Sequence, residues 1–266
     1  MKQVRERGVL EADSESENRC KVKMKVLNTV RILKVKARKT CQKHQAARVS
    51  RTPMCGRFAI GASAEDIGFR FDVEPPDDAP EPRWNVAPTD SVSIILDEGA
   101  GLRMARGKWG FPFSKHSGVA INARVETAAE KWMFKTAAHW HRCIVPATGW
   151  YEWTSAPDGK DPHHIAGESP ITPLAGLYQR TEDDLRFTIL TRNAIESLSG
   201  IHQRMPVVIL DEHIVRWLNP NDSTAIEDSE IIESSTNAQF THHRVGREVN
   251  KVTNQGPHLA RPIQTL

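Results

Sequence analysis

A cysteine followed by glycine and arginine is the most reactive candidate in the chain. It lies in the segment Met54-Cys55-Gly56-Arg57-Phe58. If Met54 initiates translation and is then removed, Cys55 carries a thiol and a free α-amine on adjacent carbons. Their ordinary pKa values, about 8.5 and about 8, leave part of each group nucleophilic near neutral pH. Such a pair can attack one aldehyde twice, through nitrogen to an imine and then through sulfur to a five-membered ring. An internal cysteine lacks the amine, and a buried structural cysteine is the alternative interpretation.

A glutamate among aromatic residues is the second candidate, in Gly149-Trp150-Tyr151-Glu152-Trp153. Side chains alternate between the two faces of a β-strand, so Glu152 shares a face with Trp150 but not with Tyr151. Burial in these surroundings would raise the pKa of the carboxyl group, which suits a general acid or base. A glutamate on a solvated face, or one held in an ion pair, is the alternative.

Three further polar segments contain candidate residues. In Ser199–Pro206, His202 can exchange a proton near neutral pH and Arg204 can bind a phosphate group, although a surface or packing histidine is the alternative. Ile121–Thr127 leads into a predicted helix, so helix capping is the alternative there. Arg83–Thr89 by itself is typical of a loop that enters a strand.

The elements that must position these residues are mostly short strands. Apolar or alternating runs predict strands at Ser91–Leu96, Leu102–Phe111, Arg142–Ala147, Trp150–Thr154, Leu174–Tyr178, Phe187–Thr191 and Pro206–Leu210. Helical patterns fall at Thr127–His141, Ala194–Ile201, Asp211–Leu218 and Ser223–Ser234. Strands outnumber helices and lack regular βαβ alternation, so we expect an α+β fold with mostly antiparallel pairing.

The first part of the chain differs sharply from the rest. Residues 1–53 contain 15 Lys and Arg against 5 Asp and Glu and no Trp, Phe or Tyr, whereas the other 213 residues have a formal charge of −7. Such a segment buries little apolar surface and is predicted to be disordered. Three interpretations of this segment compete: a basic arm that binds nucleic acid, a targeting peptide that lacks the usual apolar region, or a segment that is no part of the working protein. We favour the third. We expect one folded domain over 54–256 and a tail over 257–266.

Composition excludes several classes of protein. No run of about 18 apolar residues predicts a membrane-spanning helix, and no repeat period indicates a solenoid. The four cysteines are too few and too scattered for a disulfide framework and include no C-x-x-C pair. The pair His163-His164 has no further ligand at metal-binding spacing, so we expect no metal and no cofactor.

Six motifs occur in order along the chain. They are Met-Cys-Gly-Arg-Phe, Arg-Trp-Asn-Val-Ala-Pro-Thr, Lys-Trp-Gly-Phe, Asn-Ala-Arg-Val-Glu-Thr, Gly-Trp-Tyr-Glu-Trp and Ile-His-Gln-Arg-Met-Pro. Together they resemble the SRAP family, the SOS-response-associated peptidase-like proteins that couple covalently to abasic sites in single-stranded DNA. Val249–Gly256 is similar to that family's C-terminal signature, and the resemblance extends from about Met54 to Gly256.

The resemblance implies roles for individual residues. Cys55 matches the N-terminal nucleophile that forms a thiazolidine with the ring-opened sugar aldehyde, and Asn122 matches the asparagine that positions cysteine and lesion. Glu152 matches the acidic catalytic residue, and His202 matches the histidine that assists ring opening. Other residues match positions that hold DNA phosphates, shape the pocket or lie near the DNA groove: Arg57, Asn85, Trp109, Arg124 and Arg204.

The resemblance also implies an architecture and a partner. We expect a single SRAP-like domain with a barrel-like, β-rich core and flanking helices. The partner is single-stranded DNA containing abasic sites, with no small-molecule cofactor and no membrane. We expect a monomer in the cytoplasm, associated with the nucleoid. An acidic domain can still bind DNA if its cations share one face, for which the candidates are Arg103, Arg106, Lys108, Arg124 and Lys131.

Two other functions stay compatible with these residues. A thiol peptidase would use Cys55 against a peptide carbonyl, with Glu152 and His202 as acid and base partners. A non-covalent module for single-stranded nucleic acid would give the cysteine no role. The SRAP interpretation also requires a free amine on Cys55, which 54 residues precede. We therefore expect translation to start at Met54, or the extension to be removed before Cys55.

Overall fold

Short strands make up most of the chain that the structure describes. The computed structural model describes residues 56–113, 118–182 and 184–263. The predicted nucleophile Cys55 and the predicted extension over 1–53 lie outside the described residues.

The strands are numbered in chain order through these residues. They are β1 (Arg57–Ile60), β2 (Arg83–Val86), β3 (Ser91–Asp97), β4 (Leu102–Trp109), β5 (Phe111–Pro112), β6 (Val119–Ala120), β7 (Asn122–Arg124), β8 (Arg142–Ala147), β9 (Gly149–Ala156), β10 (Gly159–Gly167), β11 (Thr172–Arg180), β12 (Leu185–Asn193), β13 (Arg204–Pro206) and β14 (Phe240–Arg244). The α-helices are α1 (Ala64–Phe71), α2 (Val125–Ala128), α3 (Lys135–Trp140), α4 (Glu196–Ser199), α5 (Ile214–Leu218) and α6 (Ser229–Ser234).

Two large sheets carry the fold. The five-stranded sheet has the order β14-β10-β9-β1-β2, and the seven-stranded sheet has the order β11-β8-β3-β4-β12-β13, with β7 also paired to β12. Because β11 pairs with both β8 and β12, the seven-stranded sheet returns on itself. β12 runs parallel to β4 and β7, and the other pairs of described strands are antiparallel. The predicted α+β, mostly antiparallel fold is confirmed.

Trp109 lies where the two sheets meet. Its ring contacts Phe58 of β1 edge-on, with centroids 4.8 Å apart, and stacks on Phe187 of β12 at 6.5 Å. All three side chains are buried. Aromatic pairs in these geometries contribute beyond the apolar area they bury, so this cluster fixes β1 against the seven-stranded sheet.

The predicted helix Thr127–His141 is wrong in its middle, because the chain forms two helices, α2 and α3, with a bend between them. At the bend Phe134 turns inward and packs on Phe111, with ring centroids 5.8 Å apart. Trp132 in the same bend is 76% exposed. The bend thus buries Phe134 and leaves Trp132 in solvent.

The predicted strand Pro206–Leu210 is also wrong in part, because β13 ends at Pro206. Beyond it, the N–H of Val207 donates to β12 and the N–H of Ile209 donates to β11. The segment divides its backbone hydrogen bonds between two neighbours and so joins no regular ladder. The sequence pattern missed six strands, which are short or polar: β1, β2, β6, β7, β10 and β14.

A crowded glycine begins β9 and gives a test of this packing. Gly149 has a φ of +155°, and a Cβ there would lie 2.3 Å from His164 Nε2 and 2.7 Å from the carbonyl oxygen of Ile165. Gly159 has a φ of +140° with nothing within 4 Å, so it controls for backbone strain alone. We expect Gly149→Ala to lower the free energy of unfolding by about 1–3 kcal/mol more than Gly159→Ala. Urea unfolding measures both variants, and equal losses would contradict the packing described.

Candidate functional site

The chain enters β1 beside Glu152. Arg57, the first residue of β1, is paired with Tyr151 of β9, and the two strands are antiparallel. One step back along the chain from Arg57 to Gly56 therefore corresponds to one step forward from Tyr151 to Glu152. Gly56, which follows the predicted nucleophile Cys55, therefore lies beside the predicted acid Glu152.

Glu152 is buried, with 2% of its surface exposed, so the alternative of a solvated strand face does not apply. It is opposite His163 of β10, and directly opposed residues of antiparallel strands share a face. Thr154 lies on that face, with its Oγ1 3.1 Å from His163 Nε2. Burial lowers the pKa of His163, and the nearby His242 and Arg244 lower it further. A buried carboxyl group and a neutral imidazole therefore line one face of these two strands.

Arg57 is held in place at the start of β1. Its Nη1 donates to Asn85 Oδ1 at 2.8 Å and to the carbonyl of Val249 at 2.9 Å. The guanidinium group lies over the ring of Trp153, 6.0 Å from its centroid. Burial lowers the pKa of Arg57, and the carboxylate of Asp90 opposes that shift. The cation is thus oriented by an amide, a carbonyl and an aromatic face.

Asn85 is fully buried, and its amide joins β2 to the C-terminal part of the domain. Its Nδ2 contacts the carbonyls of Val249, Lys251 and Asn254 at 3.0, 3.1 and 3.2 Å. The side chain of Gln255 in turn binds the backbone of Asn85: it accepts from the N–H and donates to the carbonyl, both at 3.1 Å. The position predicted to lie near a DNA groove therefore makes its contacts inside the protein.

Trp109 positions the strand that begins with Asn122. Its side chain is fully buried, and Nε1 donates to the carbonyl of Ile121 at 2.9 Å. The next residue, Asn122, opens β7 opposite Ile189 of β12 and is half-buried. Trp109 thus contacts the residue before Asn122 and has no exposed surface of its own for DNA.

The backbone of Arg204 orients the imidazole of His202. His202 Nδ1 lies 3.0 Å from the backbone N–H of Arg204 and 3.1 Å from its carbonyl oxygen. Nδ1 can therefore accept from the N–H in a neutral ring or donate to the carbonyl in a protonated ring. Because Nδ1 contacts the loop backbone in either form, Nε2 is the nitrogen that can exchange a proton with a bound molecule.

Arg204 is 9% exposed, and its guanidinium group is engaged within the protein. It forms a bidentate ion pair with Glu126, and its Nη1 also donates to Asn193 Oδ1 at 2.8 Å. Its Nη2 donates to the carbonyl of Thr191. The side chain predicted to hold a phosphate therefore ties the loop of His202 to the helix that follows β7.

Arg124 is exposed at the end of β7 and is the most accessible of the residues predicted to contact DNA. Lys131, from the predicted basic face, is also exposed. Other cations of that face form ion pairs: Arg103 with Glu98, Arg106 with Asp78 and Lys108 with Asp184.

The predicted residues fall into two groups. Arg57 and Glu152 belong to the five-stranded sheet, whereas Asn122 and His202 lie on opposite sides of β12. The contact of Trp109 with β1 joins the groups. Sequence reasoning missed the partners, which are Trp153, His163, Glu126 and Gln255; the motifs contain or flank most of them, but no motif indicates what each contacts.

The described residues contain neither a candidate metal site nor a candidate membrane-spanning helix. Within the described residues, no group of three or more His, Cys, Asp or Glu side chains is placed to hold a metal ion. None of the helices in that part of the chain is long and apolar enough to span a membrane.

The fold and the site define a class: a β-rich domain of two packed sheets, with a buried carboxyl group beside the entry of its first strand and an oriented imidazole next to β12. Residues 54–252 match the family described as SOS response associated peptidase (SRAP). The chain belongs to this family.

Relatives and solved structures agree with this assignment. The chain is 36% identical to the abasic site processing protein YedK of Escherichia coli, over 79% of this chain and 100% of that one. It is 31% identical to the abasic site processing protein YoqW of Bacillus subtilis, over 77% and 98% of the two chains. A crystal structure of a protein from Bacteroides thetaiotaomicron shares the fold, with a TM-score of 0.64, 23% identity and coverage of 79% and 100%.

The ion pair of Arg204 with Glu126 predicts a pH effect on stability. The hydrogen bond from Arg204 lowers the pKa of Glu126, against an opposing contribution from burial. A carboxyl group whose pKa is lower in the folded protein than in the unfolded chain stabilises the fold at pH values above its unfolded pKa. This stabilisation is lost as the pH falls through the pKa of the folded state. Ordinary carboxyl groups titrate at about pH 4.5 and below, so the range from pH 6 to pH 3 covers the expected loss. Over this range, urea unfolding should show a smaller fall in the free energy of unfolding for Glu126→Gln than for the wild type. Glu130→Gln, which removes an exposed carboxylate of the same region, is the control; a parallel loss in all three proteins would contradict the role of the pair.

Proposed function

We propose that this protein processes abasic sites in single-stranded DNA by forming a covalent link through Cys55. The α-amine of Cys55 adds to the aldehyde of the ring-opened deoxyribose, and loss of water gives an imine. The thiolate then adds to the imine carbon and closes a thiazolidine ring. One water leaves in all, and no bond of the DNA backbone breaks.

One observation carries this proposal. The register of β1 with β9 places Gly56, which is bonded to Cys55, beside the buried Glu152. The printed names of the relatives, abasic site processing proteins, support the substrate class. A nucleophile at this position would react next to a carboxyl group that can transfer protons without a competing solvent shell.

Each described side chain has a place in the proposed reaction. His202, in its protonated form, donates a proton from Nε2 to the ring oxygen of the closed sugar while the hydroxyl proton of the hemiacetal passes to water, and the ring opens to the aldehyde. Glu152 moves protons as the carbinolamine loses water and as sulfur adds. Asn122 positions the lesion from the start of β7. Each role is a general acid, base or positioning role of a kind worth about 10²–10⁴ in rate.

The product explains why a link would persist. An imine at this carbon can undergo β-elimination and cut the DNA strand. Addition of sulfur removes the imine and leaves a ring with no easily expelled group. The proposed function is therefore that of a covalent shield of the abasic site.

Of the residues predicted to contact DNA, we expect the one with an exposed side chain to do so. Arg124 is the residue that we expect to meet a backbone phosphate, because its side chain is exposed at the end of the strand that begins with Asn122. Arg57, Asn85, Trp109 and Arg204 act as positioning residues, since their polar groups contact other parts of the protein.

The requirement for a free amine gives the first functional prediction. We expect a chain that begins at Met54, with that methionine removed, to form an adduct with an oligonucleotide containing one abasic site. Denaturing intact-mass analysis would show the oligonucleotide plus the protein less one water. The Cys55→Ser variant and an intact 266-residue chain should form no such adduct. Equal and stable adduct formation by the intact chain would contradict the thiazolidine mechanism, and DNA-independent peptide cleavage would favour a thiol peptidase.

The separate roles of His202 and Glu152 give the second functional prediction. With an abasic oligonucleotide, His202→Asn and Glu152→Gln should each slow adduct formation by about 10²-fold in single-turnover assays. With an oligonucleotide that carries a simple alkyl aldehyde, no sugar ring must open. The defect of His202→Asn should then disappear, whereas that of Glu152→Gln should persist. A defect of His202→Asn on both substrates would exclude the ring-opening role.

A further inference from the structure

A row of opposed residues crosses the five-stranded sheet from the predicted nucleophile to the edge of the sheet. The register of β1 with β9 places Gly56 beside Glu152, and Glu152 is opposite His163 of β10. His163 is in turn opposite Arg244 of β14, which is the end strand of this sheet. Directly opposed residues of antiparallel strands share a face, with Cβ atoms about 5 Å apart. One imidazole therefore lies between the buried carboxyl group and the sheet edge.

Exposure to solvent increases along this row. Glu152 is buried, His163 is half-buried, and the side chain of Arg244 is 52% exposed. His242 of β14 is also exposed, and its ring centroid lies 6.2 Å from that of His163. His163 thus connects a carboxyl group with almost no exposed surface to side chains that water reaches.

The two ring nitrogens of His163 have different surroundings. Nε2 lies 3.1 Å from Oγ1 of Thr154, which is half-buried. Nδ1 is buried, and none of the described residues forms a hydrogen bond with it. Buried polar atoms without a partner are uncommon in proteins, and catalytic sites are among the places that retain them. Nδ1 is therefore the nitrogen that can exchange a proton within the site.

The surroundings of the ring keep it neutral near neutral pH. The titratable and charged groups that face or adjoin it are Glu152 of β9, Asp161 of β10, and His242, His243 and Arg244 of β14. Burial is the main cause that lowers the pKa of His163, and the neighbouring histidines and Arg244 lower it further. Asp161 opposes this shift, but it is itself paired with Arg244. A neutral imidazole can accept a proton, which a protonated one cannot.

The proposed reaction releases one proton when it starts from the ammonium form of Cys55. The ordinary pKa of an α-amino group, about 8, leaves most of the amine protonated at neutral pH. The neutral amine, the thiol and the aldehyde give a thiazolidine and one water, so the additional proton of the ammonium group must leave the site. Glu152 can accept this proton, but it must pass it on before it can take part in the later proton transfers.

We propose that His163 is a proton relay for Glu152 and carries the additional proton of the reacting amine to solvent. This inference rests on the proposed function, because the amine is that of the covalent reaction. The ammonium proton passes to the carboxylate of Glu152 and then to Nδ1 of His163. The imidazolium releases its Nε2 proton past Thr154 to water, so one proton leaves and the amine becomes neutral. His163 acts through Glu152 and does not touch the sugar.

A pH profile distinguishes a relay from a structural role. In single-turnover assays with a chain that begins at Cys55 and an abasic oligonucleotide, His163→Phe should slow adduct formation at least about tenfold at pH 7. The defect should fall below about twofold near pH 9, because the amine is then mostly neutral and no additional proton must leave. A wild-type rate at pH 7, or a defect of equal size at both pH values, would overturn the relay.

A matched variant and a binding assay control for other effects of the substitution. His243→Phe removes another half-buried imidazole of the same sheet, from the face opposite to that of His163, and should react at nearly the wild-type rate. Fluorescence anisotropy with an oligonucleotide that lacks the abasic site should give the same affinity for His163→Phe and the wild type. A loss of affinity that accounts for the slower reaction would make His163 a DNA contact and overturn the relay.

Chemical rescue gives a second readout. In His163→Ala, imidazole added to the buffer should accelerate adduct formation severalfold at pH 7, because it can accept the proton from Glu152. Pyrazole has nearly the same shape but is a much weaker base, so it should rescue little. Equal rescue by the two compounds would show that the side chain of His163 only fills space, and no rescue by imidazole would also count against the relay.

A small alkyl aldehyde separates this inference from the proposed function, because Cys55 can form a thiazolidine with it in the absence of DNA. A wild type that reacts with this aldehyde but not with abasic DNA would refute the DNA function, and the pH-dependent defect of His163→Phe on the aldehyde would still support the relay. A wild type that reacts with abasic DNA, without a defect in His163→Phe, would refute the relay alone. A wild type that reacts with neither would refute both.

Discussion

The packing of Trp109 between the two sheets is the constraint on which the candidate site depends. Its ring lies against Phe58 of β1, and its Nε1 donates to the carbonyl that precedes Asn122. One buried side chain thus sets the position of the strand entering beside Glu152 and of the strand opening with Asn122. Because a buried indole N–H must find an acceptor, the hydrogen bond fixes the direction of the ring as well as its burial.

Polar networks around this contact give the site its rigidity. The side chain of Gln255 binds the backbone N–H and carbonyl of Asn85, and Arg204 is bound by the bidentate carboxylate of Glu126. Breaking these hydrogen bonds would leave further buried polar groups unpaired, so such networks have few alternative arrangements. Arg57 and Arg204, which the motifs would assign to phosphate, are thereby used to orient parts of the protein, whereas Arg124 is exposed.

The arrangement suits a reaction that needs two proton transfers at different atoms. In the proposed mechanism, His202 acts on the sugar oxygen and Glu152 acts on the nitrogen and sulfur additions. Their environments differ: the imidazole is half-buried in a loop, where the backbone of Arg204 contacts its Nδ1, whereas the carboxyl group is buried on a strand. Placing the two groups on different elements lets their surroundings be set independently, which is how proteins give similar groups different roles.

Much of the fold could be predicted from the sequence, because strands such as β3, β8 and β11 have apolar patterns that reflect burial directly. The ordered motifs were also sufficient to indicate the family and the residue types of the site. The sequence could not predict which motif residues face solvent, because their partners are distant in the chain: Asn85 and Gln255 are 170 positions apart. For the same reason, the inward position of Trp109, the burial of Glu152 and the engaged guanidinium of Arg204 were decided by tertiary structure. A side chain's type sets the chemistry it can perform, whereas its exposure and hydrogen bonds depend on which strands the fold brings beside it.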